Sequence, residues 1–385
     1  MSQNEATTGS QLMPHVSYSD HMEHQTAGSV AIILLSGFAL ACAEPEAGFT
    51  LDAAVSTDAQ SRATDTGSSV LVPQESQDMD VVEQTNACIP GENMDACDRI
   101  GGLKNVGGLM YPLLLVHGMG GFDQLGPLTY FHKVSEDLNG QGFPVYKPVT
   151  DAWNGSDIRA KQLATYVDDV LACSCAQKVN LLAHSQGGID ARLLVAGMGY
   201  HDRVATVATV SSPHHGTPIA DVILGFEDGP VDILAGVFNL FFGFIYNDSE
   251  FPLAVQKGLR WCSVQSMKLF NKDYPDHPDV AYYSYAGFTN LFSNPTQACK
   301  GGALPIPKTG DMVPPEFWAS YYFLGGFGKP NDGLVTVASA RWGTFRGCVA
   351  ADHLDQVGQI AGLVDSFNYK NFYRSHATFL SEQGF

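Results

Sequence analysis

The sequence predicts an α/β fold, with a mainly parallel sheet carrying helices on both faces, and three observations predict it. The apolar runs Tyr111 to Val116 and Val179 to Ala183 are continuous rather than alternating, the pattern of strands buried on both sides. Strand-like and helix-like segments alternate along the chain, which is the order that builds parallel crossovers. The apolar fraction is 45%, enough for a large core, and the region from residue 107 to 385 has the length of one α/β domain. No internal repeat is visible.

The first element that matters is the strand Val179-Asn180-Leu181-Leu182-Ala183, which runs into His184-Ser185-Gln186-Gly187-Gly188. This is a strand, a sharp turn and then a helix, Ile189 to Met198, with one serine displayed at the turn. The usual form of such an elbow is G-x-S-x-G, and Ala183 replaces the first glycine, a small-for-small exchange that still lets strand and helix pass closely. Ser185 is therefore a candidate nucleophile. By itself, a glycine-flanked serine is usually only a turn.

The earlier strand, from Tyr111 to Val116, ends in His117-Gly118-Met119-Gly120-Gly121, a loop able to offer backbone N–H groups. Acyl transfer needs such donors for the oxyanion of a tetrahedral intermediate, each contributing about 3 to 4 kcal/mol. The rule for this fold assigns one donor to the residue after the nucleophile, Gln186, and the other to the loop after an earlier strand, here Met119. An acid and a histidine should follow the serine in that order. Asn331-Asp332-Gly333 is a turn leading into an apolar segment, where Asp332 can present its carboxylate. His353 is the better base, because the other histidine beyond Asp332, His376, falls in a C-terminal helical stretch where packing or capping is expected.

With these motifs in order, the chain resembles the bacterial secreted triacylglycerol lipases of the Pseudomonas and Burkholderia group, members of the α/β-hydrolase superfamily. The resemblance runs from about Gly107 to Phe385. It also takes in Ser212-Pro213-His214-His215-Gly216, Tyr282 to Gly287 and His353 through Gln359. It implies that Ser185, Asp332 and His353 are nucleophile, acid and base, with Met119 and Gln186 lining the oxyanion hole. It also implies a structural Ca2+ held by the carboxylates of Asp311 and Asp355 and the carbonyls of Gln359 and Leu363, an oxygen set that suits calcium. Asp355 stands two residues after His353, so the ion would brace the loop of the base. No redox or nucleotide cofactor is implied.

The glycine-broken apolar stretch at about 222–262 holds the position of a lid in the resembling lipases, an amphipathic helix that opens at a lipid interface. The expected substrate is a triacylglycerol or another water-insoluble ester. A carboxylesterase for soluble esters, or a polyester depolymerase, would use the same triad. A catalytically silent surface lipoprotein is the reading from a different class. Some relatives require a dedicated steric chaperone, so such a partner is a further expectation.

Residues 1–42 and 43–106 have another character. Val30 to Cys42 is an apolar run too short to span a bilayer and ended by small residues, as in the core of a signal peptide, although no Lys or Arg precedes it. Ala39-Leu40-Ala41-Cys42 resembles a lipoprotein box, which makes Cys42 a candidate for lipidation, with plain cleavage after a nearby alanine as the rival. The protein is thus expected to be exported, either secreted or held at the cell surface. From 43 to 106 the polar, aperiodic composition predicts a flexible acidic linker. Through Val106 there are 15 acidic residues against three basic ones, so most of the net charge of −19 lies there. A chain without Lys/Arg clusters is not a nucleic-acid binder.

Eight cysteines in an exported chain point to disulfides. Setting Cys42 aside leaves an odd number. Cys88 and Cys97 could close a short loop in the linker, and the remaining connectivity stays open.

Overall fold

In a computed structural model of the protein the described residues are 88–104, 107–121, 129–225, 251–290, 292, 294–359, 362–364 and 366–385. The export segment with Cys42, the linker as far as residue 87, and residues 226–250 of the expected lid lie outside them. Six strands form one sheet: β1 (Leu113–Val116), β2 (Val145–Tyr146), β3 (Val179–His184), β4 (Val204–Val210), β5 (Ala281–Phe288) and β6 (Thr344–Ala350). Their order is β2-β1-β3-β4-β5-β6, and each neighbouring pair is parallel.

The continuous apolar runs have the cause the sequence suggested. Every residue of β1, β3 and β4 is buried. Leu114, Val116, Leu181 and Ala183 pack on one face, with Leu163 and Val167 of the helix Ser156–Ser174. Leu113, Leu115 and Leu182 pack on the other, with Leu138 of the helix Val134–Gly140 and Tyr373 and Leu380 of the helix Tyr369–Glu382. Side chains alternate across a strand, so a strand between two helical layers is buried at every position and largely apolar, its few polar groups being hydrogen-bonded, as Thr206 is to Asn180 at 3.0 Å. This is the α/β-hydrolase architecture. The chain order reverses at β1, which leaves a crevice beyond the C-terminal ends of β1 and β3, where such sheets bind ligands.

The N-terminal end of this unit differs from expectation. Residues 88–104 are fixed to the sheet layer rather than free: Met94–Arg99 is a short helix with Ala96 and Cys97 buried. Disulfides join Cys88 to Cys175 and Cys97 to Cys173, so the short Cys88–Cys97 loop does not form. Arg99 makes a two-pronged ion pair with Asp169, with bonds of 2.7 and 2.6 Å, and the Gly91 N–H donates to the Cys173 carbonyl at 2.8 Å. One buried face on a six-residue helix is too small a signal to stand out from polar surroundings, and the bonds that hold it are long-range. A third disulfide joins Cys299 to Cys348, and the odd cysteine is the buried Cys262.

Candidate active site

The crevice is built from the turns after β1 and β3. At the end of β3, Ser185 has φ +55° and ψ −131°, a conformation that costs a non-glycine residue roughly 1–3 kcal/mol and that thrusts its side chain out of the turn. Small neighbours make the turn possible. A Cβ on Gly187 would stand 2.6 Å from the His117 carbonyl oxygen, and one on Gly118 would stand 2.6 Å from the Ser185 Cβ. Gln186 opens the helix Gln186–Arg192, so its N–H is among those with no intrahelical partner. Its side chain donates to the Asn154 carbonyl at 3.0 Å.

His117 is a structural group. Its Nε2 accepts the Thr150 N–H at 3.0 Å, which puts the ring proton on Nδ1, 2.9 Å from the Gly118 carbonyl. Burial, with the Arg159 charge beside it, lowers its pKa to about 3. Arg159, fully buried, donates through Nε to Asp190 Oδ2 at 2.7 Å, through Nη2 to the His117 carbonyl at 2.6 Å, and through Nη1 to the Asp151 carbonyl. One guanidinium therefore joins the loop after β1, the loop after β2 and the helix that follows Ser185. Neither composition nor motif spacing marks Arg159, because its role depends on two loops and a helix meeting from distant parts of the chain.

Asp332 and His353 come together in the structure. His353 Nδ1 lies 2.8 Å from Asp332 Oδ2, and its backbone N–H donates to the Asp332 carbonyl at 3.0 Å. Asp332 Oδ1 accepts the N–H groups of Leu334 and Val335 at 3.1 and 2.8 Å, while Gln356 Nε2 donates to Oδ2 at 2.9 Å. Burial opposes ionisation here. The neighbouring His353 charge and the bonds from His353, Gln356 and Val335 outweigh it and hold the Asp332 pKa below its ordinary value. A carboxylate can only accept, so the His353 proton sits on Nδ1 and its Nε2 is left as a base.

Ser185, Met119 and His353 line one cavity, whose other walls include Ile219, Ile223, Leu259, Leu334 and Val335. Behind it, His184 Nδ1 meets the Tyr130 hydroxyl at 2.5 Å, and the His184 ring lies 4.5 Å from that of His353. Burial, and then the nearby His353, hold His184 neutral. His376 is a packed histidine, with Nδ1 3.0 Å from the Tyr285 hydroxyl.

Asp311 and Asp355 also meet, and Asp352 joins them. One carboxylate oxygen from each lies within 4.8 Å of the others, the one such acidic cluster among the described residues. Asp311 Oδ2 accepts the Asp352 N–H at 2.8 Å, and its Oδ1 is buried without a hydrogen-bond partner. Asp352 Oδ1 accepts the N–H groups of Leu354 and Asp355 at 2.7 and 2.9 Å. Burial, with Asp355 adjacent, pushes the Asp311 pKa up to about 7. Such crowding suits a hard divalent cation. Asp352 carries a signal in its position, directly before His353 and three residues before Asp355, which motif reasoning passed over. Gln359 is half-buried, and Leu363 is exposed.

The parallel sheet, the turn that displays Ser185 at its C-terminal edge and the adjoining His353–Asp332 pair define an α/β-hydrolase. No family model matches the chain. It is, however, 31% identical over 298 residues to a triacylglycerol lipase of Pseudomonas fragi, a match covering 71% of this chain and 97% of that protein. A triacylglycerol lipase of Vibrio cholerae is 28% identical over 71% of this chain and 88% of its own length. The structure of lipase 1 from Pelosinus fermentans superposes with a TM-score of 0.51 at 18% identity, over 71% of this chain and 99% of that one, a likeness of fold. The chain belongs to the triacylglycerol lipase family and is a carboxylic ester hydrolase.

Proposed function

We propose that the protein hydrolyses triacylglycerols and similar water-insoluble esters, with Ser185 as nucleophile, His353 as base and Asp332 as its orienting acid. His353 Nε2 takes the Ser185 proton as Oγ attacks the ester carbonyl. The N–H groups of Met119 and Gln186 receive the oxyanion, and Asp332 stabilises the imidazolium. Collapse expels the alcohol, which takes the proton from His353, and water then cleaves the acyl-enzyme by the same steps reversed. The observation that carries this reading is the 2.8 Å contact between His353 Nδ1 and Asp332 Oδ2, with His353 in one cavity with Ser185. On a triglyceride emulsion, Ser185→Ala should lower turnover by about four orders of magnitude or more with an unchanged circular-dichroism spectrum. Turnover kept by that variant would end the assignment.

The cluster of Asp311, Asp352 and Asp355 fits a structural Ca2+, and the carbonyls of Gln359 and Leu363 are the further ligands the resemblance supplies. When bound, the ion supplies charge neutralisation to the loop that carries His353. The helix Phe251–Cys262 then closes the C-terminal end of a lid spanning about 222–262. Three disulfides are those of an oxidising compartment, and they support export by a signal segment at 1–42, with Cys42 as the lipidation point and the acidic stretch before the Cys88 staple as a tether.

A further inference from the structure

Beyond the catalytic cavity, the structure carries a second apolar surface that neither the elbow nor the acid loop uses. Phe292, Met312, Trp318, Tyr322 and Phe327 line a groove, and none of the residues that line it is charged. They are 80, 64, 57, 54 and 49% exposed, an unusual concentration of large apolar groups in water. Three of the four rings are held by neighbours. Trp318 Nε1 donates to the Val313 carbonyl at 2.8 Å, and Tyr322 and Phe327 meet edge to face at 6.0 Å, with the buried Tyr321 ring 5.3 Å from Tyr322.

The position of this groove says what it faces. Phe292 follows the C-terminal end of β5, the end of the sheet at which Ser185 follows β3. The Thr289 N–H donates to the Asn331 carbonyl at 2.9 Å, and Asn331 Nδ2 donates to the Tyr321 carbonyl at 3.3 Å. Gly333 lies so close to Phe317 that a Cβ there would fall 2.6 Å from its ring. The next two residues, Leu334 and Val335, are walls of the cavity that holds Ser185. The acid loop thus ties the segments next to the groove, at Thr289 and Tyr321, to the wall of the cavity at Leu334 and Val335.

We propose that this aromatic groove is a docking surface for a neutral ester-lipid surface, a second anchor separate from the lid segment. The proposal rests on the reading of the chain as a hydrolase of water-insoluble esters. Trp and Tyr suit the boundary between water and lipid, because an apolar ring is joined to a polar tip. Rings already held in place lose little freedom on docking. With no charged residue in its lining, the groove offers nothing to an anionic headgroup, and a neutral ester droplet is the match.

The test uses the full chain carrying Ser185→Ala, so that hydrolysis does not alter the surface, mixed with phosphatidylcholine-stabilised triolein droplets and separated by flotation. Adding Trp318→Ser and Tyr322→Ser together should weaken partition by about tenfold, and Trp318→Tyr should hold it within about threefold. With Ser185 intact, the same substitutions should slow hydrolysis of emulsified triolein while leaving that of dissolved p-nitrophenyl acetate within about twofold. Equal partition of the doubly substituted and unsubstituted proteins overturns the proposal. So does a change from dimer to monomer in sedimentation with partition unaltered, which would make the groove an interface between copies. Absence of ester hydrolysis in the unsubstituted protein would instead sink the lipase reading, whatever the partition.

Discussion

Gln356 Nε2 stands 2.9 Å from Asp332 Oδ2, the same oxygen that lies 2.8 Å from His353 Nδ1. The space for it is made by Gly287, where a Cβ would fall 1.9 Å from the Gln356 nitrogen. Gln356 is a positioning residue, because it fixes the carboxylate that in turn fixes the imidazole. Gln356→Leu keeps the volume and removes the bond. It should cost about 1.5–3 kcal/mol of stability, the range for a hydrogen bond to a charged group, and lower kcat severalfold with little change in KM. Urea unfolding and kinetics on a dissolved ester would check it, and kcat within experimental error of the parent would reduce Gln356 to a packing group.

Arg159 gives a second prediction. Its three donors hold two loops and a helix, and a lysine can satisfy only some of them with its single nitrogen. Arg159→Lys should retain the fold, lose part of the alignment of the loop carrying Met119, and lower kcat by about ten- to a hundredfold. Arg159→Leu should do worse, at about 3–5 kcal/mol, since Asp190 is left as a buried charge without its partner. A rise in KM alone, with kcat intact, would contradict the role given to Arg159.

What could be read from the sequence follows from how local each signal is. The Ser185 elbow, the His117-Gly118 loop and the Asn331-Asp332-Gly333 turn are short segments whose conformation follows from their own residues. Their order along the chain also supplied the pairing of Asp332 with His353. Arg159 and Gln356 act through partners 31 and 24 residues away, so no nearby pattern marks them. The staple of Cys88 and Cys97 to Cys175 and Cys173 was missed for the same reason. Proximity in sequence favoured a Cys88–Cys97 loop, and the fold brought a more distant helix end to both.

Acid sensitivity follows from the buried histidines. His117 and His376 have folded pKa values lowered to about 3 from an ordinary 6.5, mainly by burial. Between those values the unfolded chain binds more protons than the folded one, so stability rises with pH there. The contribution is complete above about pH 6.5 and is lost progressively down to about pH 3, at roughly 1 kcal/mol per pH unit for each histidine. Replacing His376 by Phe removes one titrating group. It should flatten the slope of unfolding free energy against pH between about 6 and 4, as measured in urea. An unchanged slope would mean that His376 does not remain neutral.

Removal of divalent cations should act on stability before chemistry. Asp311, Asp352 and Asp355 crowd three carboxylates beside the His353 loop, and an ion that binds only the folded state stabilises it in proportion to the logarithm of its excess over Kd. Chelation should lower Tm by several degrees, and added Ca2+ should restore it, as followed by calorimetry. Asp311→Asn should make Tm insensitive to both treatments. If chelation leaves Tm and activity unchanged in the parent, the cluster holds no ion that matters to the fold.

The Cys97–Cys173 bond closes 76 residues of sequence, and a loop of that size limits the unfolded chain enough to contribute several kcal/mol, typically about 2–4. The Cys88–Cys175 bond lies beside it and constrains much the same loop, so the two contributions should not add. Removing either pair alone should therefore cost little, whereas removing both should cost the larger amount and free the segment from residue 88 to 104. Cys97→Ala with Cys173→Ala, Cys88→Ala with Cys175→Ala, and the fourfold variant separate these cases by urea unfolding. Limited proteolysis should cut near Arg99 in the fourfold variant and spare it in the other two. Equal and additive losses from the two double variants would show that each bond holds a different part of the fold.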